Sequence, residues 1–97
     1  MVRTTKLSRS EIASALGDCL HFLAKGDVPQ TINPGLIVLN EWNLDSEHGV
    51  ELACDLSTRL GIEIPADENP LIDESGRKRR ARTFGEVVEY IMALSNP

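Results

Sequence analysis

Aromatic residues are scarce in this chain: Phe22, Trp42, Phe84 and Tyr90 are all it has. A β-sandwich leans on aromatic and β-branched side chains. The core here has to come from Leu, Ile, Val and Ala, which suits packed helices. Cysteine is rarer still. Cys19 and Cys54 lie far apart with no CxxC pair, which argues against a zinc ribbon or a disulfide framework. No apolar run approaches the ~20 residues of a membrane span. The opening MVRTTKLSRSEIASAL is too polar for a signal peptide. The expectation is a cytoplasmic monomer without a membrane span. At 97 residues it should form one domain, 1–97.

Charge is unevenly spread behind the net value of −5. Residues 41–74 hold ten Asp and Glu against the single Arg59, whereas RKRRAR (77–82) holds five of the ten basic residues. An acidic domain repels nucleic acid, so no nucleic-acid partner is expected, and the dipolar layout points to steering between protein partners. The segment Arg77–Arg82 reads either as a solvated loop or as a second docking surface. In the second case it would meet an acidic partner or fold back on the chain's own acidic helix.

Hydrophobic periodicity divides the chain. Residues 8–25 form an amphipathic helix, with Ser8 and Glu11 at capping-box spacing. Ile12, Ala15, Leu16, Cys19, Leu20 and Leu23 recur at helical intervals, and Gly26 ends the run. Residues 26–44 form a long crossover broken by Pro29, Pro34 and Gly35. It is too apolar to be a solvated linker, and a short helical turn fits near 36–41. A second helix covers 46–60, with Val50, Ala53, Cys54, Leu56 and Leu60 marking its faces, and Gly61 stops it. Residues 66–82 read as irregular, with a single helical turn around PLIDE. A last helix spans 83–94, with Thr83 and Glu86 as its capping box and Phe84, Val87, Val88, Ile91 and Leu94 as its buried stripe. The fold expected is all-α: a small antiparallel four-helix bundle with a long crossover between helices 1 and 2 and a short third helix.

The stretch NLDSEHGVEL (43–52) carries the chemistry. Asp45, Ser46 and His48 look superficially like a catalytic triad. Residues one and two apart on a helix do not face each other, so Ser46 and His48 cannot act as nucleophile and base. No Gly-rich turn supplies an oxyanion hole. His21, His48, Cys19 and Cys54 lack metal-ligand spacing. No catalytic residue or metal site is expected, and the protein is not read as an enzyme. A helix N-terminus does favour a phosphate. Ser46 could therefore tether a phosphodiester-linked group, with Asp45 helping an incoming phosphoryl-transfer enzyme hold its metal ion. The same two residues also make an ordinary helix cap.

LDSEHGVELACDLSTRLGIEIP (44–65) resembles the region around the modified serine of acyl carrier proteins. Asp45 and Ser46 match its D-S pair, Val50, Glu51 and Leu52 its V-E-L, and Ile62 to Pro65 its I-x-I-P. Val38 and Trp42 fall where that family has apolar loop anchors, and TFGEVVEYI (83–91) resembles the start of its last helix. The resemblance implies that Ser46 carries 4′-phosphopantetheine, transferred from coenzyme A by a phosphopantetheinyl transferase. The thiol of that arm would hold acyl groups as thioesters for acyl-loading and acyl-using enzymes. Glu47, Val50, Glu51, Asp55 and Arg59 would form the partner-facing surface.

Glu47 departs from the pattern, since the family has an apolar residue there. Asn43 replaces a frequent Gly, and Ser57, Thr58 and Arg59 replace a run of glutamates. These departures imply a specialised carrier, serving a dedicated lipid, fatty-acid or secondary-metabolite pathway. The alternative is a carrier-like fold acting as an unmodified protein-interaction module. Gly49 reads only as a weak point in the helix, costing ~1 kcal/mol against Ala. Trp42 reads as core, or as lining an acyl cavity.

Overall fold

Ser8 starts the first helix in the way its spacing predicts. In the computed structural model, which describes residues 7–24, 28–29, 31–42, 44–65, 68–74 and 79–95, Ser8 Oγ accepts from the Glu11 backbone N–H at 3.1 Å. Glu11 Oε1 in turn accepts from the Ser8 N–H at 3.2 Å. The helix this box opens, α1 (Arg9–Ala24), buries Ile12, Leu16, Cys19, Leu20 and Leu23. Ala15 is only half-buried, at the margin of that stripe. The expected stop at Gly26 lies outside the described residues.

The crossover is tied to the far end of the chain. Asn33 Oδ1 accepts from Gly35 N–H at 2.8 Å, closing a turn, and a single helical turn follows as α2 (Val38–Glu41). Phe84 N–H donates to Leu36 O at 2.8 Å and Gly85 N–H to Pro34 O at 2.9 Å, while Ile37 and Thr83 form an isolated bridge. Ile32 and Val38 from this segment enter the core.

The next helix, α3 (Ser46–Leu60), ends at Gly61, whose backbone is left-handed at φ 66° and whose N–H donates to Ser57 O at 2.9 Å. Glycine adopts that conformation without steric cost. Leu52, Leu56 and Leu60 form the buried face of α3. Val50 and Cys54, which periodicity alone counted among its apolar face residues, are exposed. The three leucines recur every four residues and carry the larger apolar area inward, which turns positions 50 and 54 to the outside.

The last helix, α4 (Phe84–Ser95), opens on the expected capping box. Thr83 Oγ1 accepts from Glu86 N–H at 3.2 Å, and Glu86 Oε1 accepts from Thr83 N–H at 3.0 Å. Phe84, Val87, Val88 and Ile91 are buried, with Leu94 half-buried at the end of the stripe. Helix α1 packs against both α3 and α4 and so forms the centre of the core.

The short third helix expected within 66–82 is replaced, in the described residues, by a small hairpin. Strands β1 (Ile72–Asp73) and β2 (Arg80–Ala81) pair antiparallel, with Ile72 opposite Ala81 and Asp73 opposite Arg80. Arg82 N–H donates to Leu71 O at 2.9 Å and extends the pairing. Asn69 explains why PLIDE does not coil. Its Oδ1 accepts from Leu71 N–H at 2.9 Å and its backbone O from Ile72 N–H at 3.1 Å, a turn that drives Pro70 and Leu71 into the core. The chain leaves that turn extended. The architecture is therefore mostly helical with a small two-stranded antiparallel sheet, and the shortest helix lies in the crossover. No helix among the described residues is long and apolar enough to cross a membrane.

Candidate functional site

Asp45 is the N-cap of α3. Its backbone is extended (φ −112°, ψ −176°), and its Oδ1 accepts from the N–H groups of Glu47 at 3.0 Å and His48 at 3.2 Å. His48 Nδ1 lies 2.9 Å from the same oxygen and 3.2 Å from the Asp45 N–H. Which of the two contacts the ring makes depends on its tautomer: a bare Nδ1 accepts from the Asp45 N–H, and an Nδ1–H donates to Oδ1. The His48 backbone N–H holds the Asp45 carboxyl below the usual carboxylate range. The nearby imidazole and the Glu47 N–H add to the effect.

Ser46 is the first residue of α3, directly after this cap. Capping falls to Asp45. The cap also takes two of the first-turn N–H groups that would otherwise favour a phosphate. Among the described residues, the side-chain contacts of Asp45 use Oδ1. The His48 ring is engaged with Asp45.

One turn further on, Gly49 is buried against the hairpin approach. A Cβ built there would lie 2.0 Å from Asn69 Oδ1 and 2.4 Å from its Cγ. The glycine admits the Asn69 side chain, and residues 68–71 thereby brace the first turn of α3. Sequence reading registered Gly49 only as a helix-weakening residue. Its partner is twenty positions away, and no local pattern shows such a contact.

The expected partner-facing residues divide in two. Glu47, Val50 and Glu51 are exposed. Arg59 instead joins two helices: its Nε lies 3.1 Å from Asp55 Oδ1 and its Nη1 3.9 Å from Asp18 Oδ2 on α1. Asp55, half-buried, also faces Cys19, whose thiol is pushed up to about 12, chiefly by burial and then by its hydrogen bond with that carboxylate. Phe22, which the sequence reading assigned no role, stands 75% exposed beside Glu51 and Asp55. A signal was available. Phe22 falls outside the Leu16, Cys19, Leu20 and Leu23 stripe, so a helical projection puts it on the surface.

The basic segment is engaged with its own neighbours. Arg80 forms a two-point ion pair with Glu86, at 2.6 and 2.8 Å, and reaches Asp73 Oδ2 at 3.2 Å. Arg79 pairs with Glu74 at 3.2 Å. Arg82 donates to Pro70 O at 3.2 Å and lies 4.3 Å from the Tyr90 ring centroid. The described arginines of the segment, 79, 80 and 82, thus pair with the hairpin and α4, and Arg79 and Arg80 keep more than half of their side-chain surface exposed. Arg77 and Lys78, like Asn43, lie outside the described residues. Trp42 is half-buried at the edge of the core. A cleft of about 890 Å³ lies elsewhere, between α1 and the start of α4, lined by Ala13, Ile32, Pro34, Phe84 and Val88 among others. Among the described residues no group of three His, Cys, Asp or Glu side chains could hold a metal ion.

Comparisons with protein-family models, with curated proteins and with solved structures return no match for this chain.

Proposed function

We propose that this protein carries acyl groups as thioesters on a 4′-phosphopantetheine arm attached to Ser46, in the manner of acyl carrier proteins, and serves a dedicated lipid, fatty-acid or secondary-metabolite pathway. The observation that carries this reading is a coincidence of register and geometry. The D-S…V-E-L…I-x-I-P blocks run without interruption, and Ser46 starts α3 while Asp45 does the capping. Asp45 is exposed and ionised, and its Oδ2 is outside the cap contacts, which suits a carboxylate assisting a transferase-bound metal ion. The chemistry belongs to the transferase and the acyl-handling enzymes; the chain supplies the tether.

One observation favours a second reading. Glu47, exposed and charged, directly follows Ser46 where the resemblance expects an apolar docking residue. The alternative is an unmodified interaction module. Intact mass after incubation with coenzyme A, Mg²⁺ and a phosphopantetheinyl transferase tests both. Gain of one phosphopantetheine, lost in Ser46→Ala, is the expected result. No gain with the wild-type chain, for a broad-specificity transferase or for a transferase with a basic carrier-docking face, would overturn the carrier reading. A gain in Glu47→Leu alone would assign the block to that carboxylate.

A further inference from the structure

The third residue of α3 departs from the usual capping pattern. A capping box ordinarily places Glu or Gln there, reaching back to the backbone N–H of the cap residue. This chain has His48. The cap residue gives the reason. Asp45 caps with a carboxylate, and a Glu at position 48 would set a second negative charge against it. An imidazole removes that repulsion and bonds either part of Asp45. Its Nδ1 lies 3.2 Å from the Asp45 backbone N and 2.9 Å from Asp45 Oδ1, so in either tautomer the ring is tied to that residue.

The consequence falls on the carboxylate. Oδ1 lies within reach of two backbone N–H groups, those of Glu47 at 3.0 Å and His48 at 3.2 Å, and of the ring nitrogen. The Asp45 side chain is 66% exposed and the His48 side chain 35%. An aspartate that open to solvent ordinarily moves among staggered rotamers. Here the less exposed ring restrains it from one side and the helix start from the other.

We infer that His48 is a positioning residue for the transfer onto Ser46: by bonding Asp45 it holds the carboxylate in the orientation from which it assists a transferase-bound metal ion. The inference rests on the carrier reading and deepens it, since position 48 falls between the D-S and V-E-L blocks and the resemblance gives it no role. In the transfer, Ser46 Oγ bonds to the phosphorus that bears the pantetheine arm of coenzyme A. The bond from that phosphorus to adenosine 3′,5′-bisphosphate breaks, and a base of the transferase takes the serine proton. His48 acts only through Asp45.

Three replacements at position 48 test this. A Gln amide both accepts from the Asp45 N–H and donates to Oδ1. Ionised Glu only accepts and repels the carboxylate, and Leu does neither. Initial rates of phosphopantetheine gain are read by intact mass, with coenzyme A, Mg²⁺ and a transferase that modifies the wild type. They should fall about 10-fold or more in His48→Leu and His48→Glu, the usual loss for a group that orients a metal-binding carboxylate. His48→Gln should stay close to the wild-type rate. A purely structural cap gives another order, with Glu as good as Gln, because either completes the box. In an Asp45→Asn background, which keeps a cap residue, the replacements should have no further effect. The unmodified chain supplies a second readout. Three-bond couplings of Asp45 should report one χ1 rotamer in the wild type and His48→Gln, and averaging in His48→Leu and His48→Glu. Rescue by Glu as full as by Gln would overturn the inference, as would a wild-type rate in His48→Leu, a further loss in the Asp45→Asn background, or couplings unchanged across the series. Each of these leaves the carrier reading standing. A wild-type chain that gains no phosphopantetheine would overturn that reading and the inference with it.

Discussion

Replacing Gly49 with alanine sets two effects of known sign against each other. Alanine in a helix interior is favoured over glycine by ~1 kcal/mol, so local propensity predicts a more stable protein. The structure predicts the reverse. The added methyl would sit 2.0 Å from Asn69 Oδ1 and 2.4 Å from both Cγ and Nδ2, so the whole amide has to move. Displacing it overpacks the site, which costs about 1–3 kcal/mol. It also breaks the 2.9 Å hydrogen bond from Leu71 N–H to Asn69 Oδ1, worth about 1 kcal/mol. The net expectation is a loss of about 1–3 kcal/mol. With a urea m-value of about 1–3 kcal/mol/M for a small domain, the unfolding midpoint should fall by roughly 1 M. A double-mutant cycle isolates the cause. Asn69→Ala alone should destabilise through the lost turn, and Gly49→Ala in that background should become neutral or stabilising. Gly49→Ala matching or exceeding wild-type stability would refute the claim that Asn69 occupies the glycine's surface.

Further outcomes follow from burial and charge. Arg80 and, next, the Thr83 N–H pull Glu86 down from 4.5 to about 2. The stability this pair contributes is therefore fully present above pH 4.5 and is lost as pH falls towards 2. Both side chains are more than a third exposed, so solvent screening keeps the effect small. Urea midpoints measured from pH 7 to pH 3 should show a shallower acid loss in Arg80→Met than in the wild type, and parallel curves would contradict the pairing. Leu71→Ala empties a fully buried position and should cost about 2–5 kcal/mol in the same assay; a loss below 1 kcal/mol would mean the hairpin is not anchored in the core. Cys54, exposed, should react with a thiol reagent in the native state. Cys19, buried with its thiol pushed up to about 12, should react only on unfolding.

Much of the fold was legible in sequence because helix signals are local. Ser8 with Glu11, Thr83 with Glu86 and the glycine at 61 each act within one turn, so spacing alone locates two of the helix starts and the end of α3. The stripes of α1 and α4 were readable for the same reason, since a 3.6-residue period is visible in one dimension. The second helix was read less well. Periodicity placed Val50 and Cys54 among its apolar face residues, and only packing against α1 shows that Leu52, Leu56 and Leu60 take the core. The candidate site divides in the same way. The D-S pair and the acidic residues of α3 stand out in the chain, whereas Phe22 is seen to lie beside Glu51 and Asp55 only once α1 is laid beside α3.

The sequence by itself determined a small, largely helical core of Leu, Ile and Val, and placed Ser46 at a helix start. Those are properties of composition and of neighbours a few residues apart. Only the tertiary structure decided that Ile72–Asp73 and Arg80–Ala81 pair antiparallel, that Gly49 is a seat for Asn69, and that the arginines at 80 and 82 bind their own hairpin and α4. Each rests on a contact between residues distant in the chain or on a side chain's direction. The energy of such a contact exists only when the core brings its two sides together.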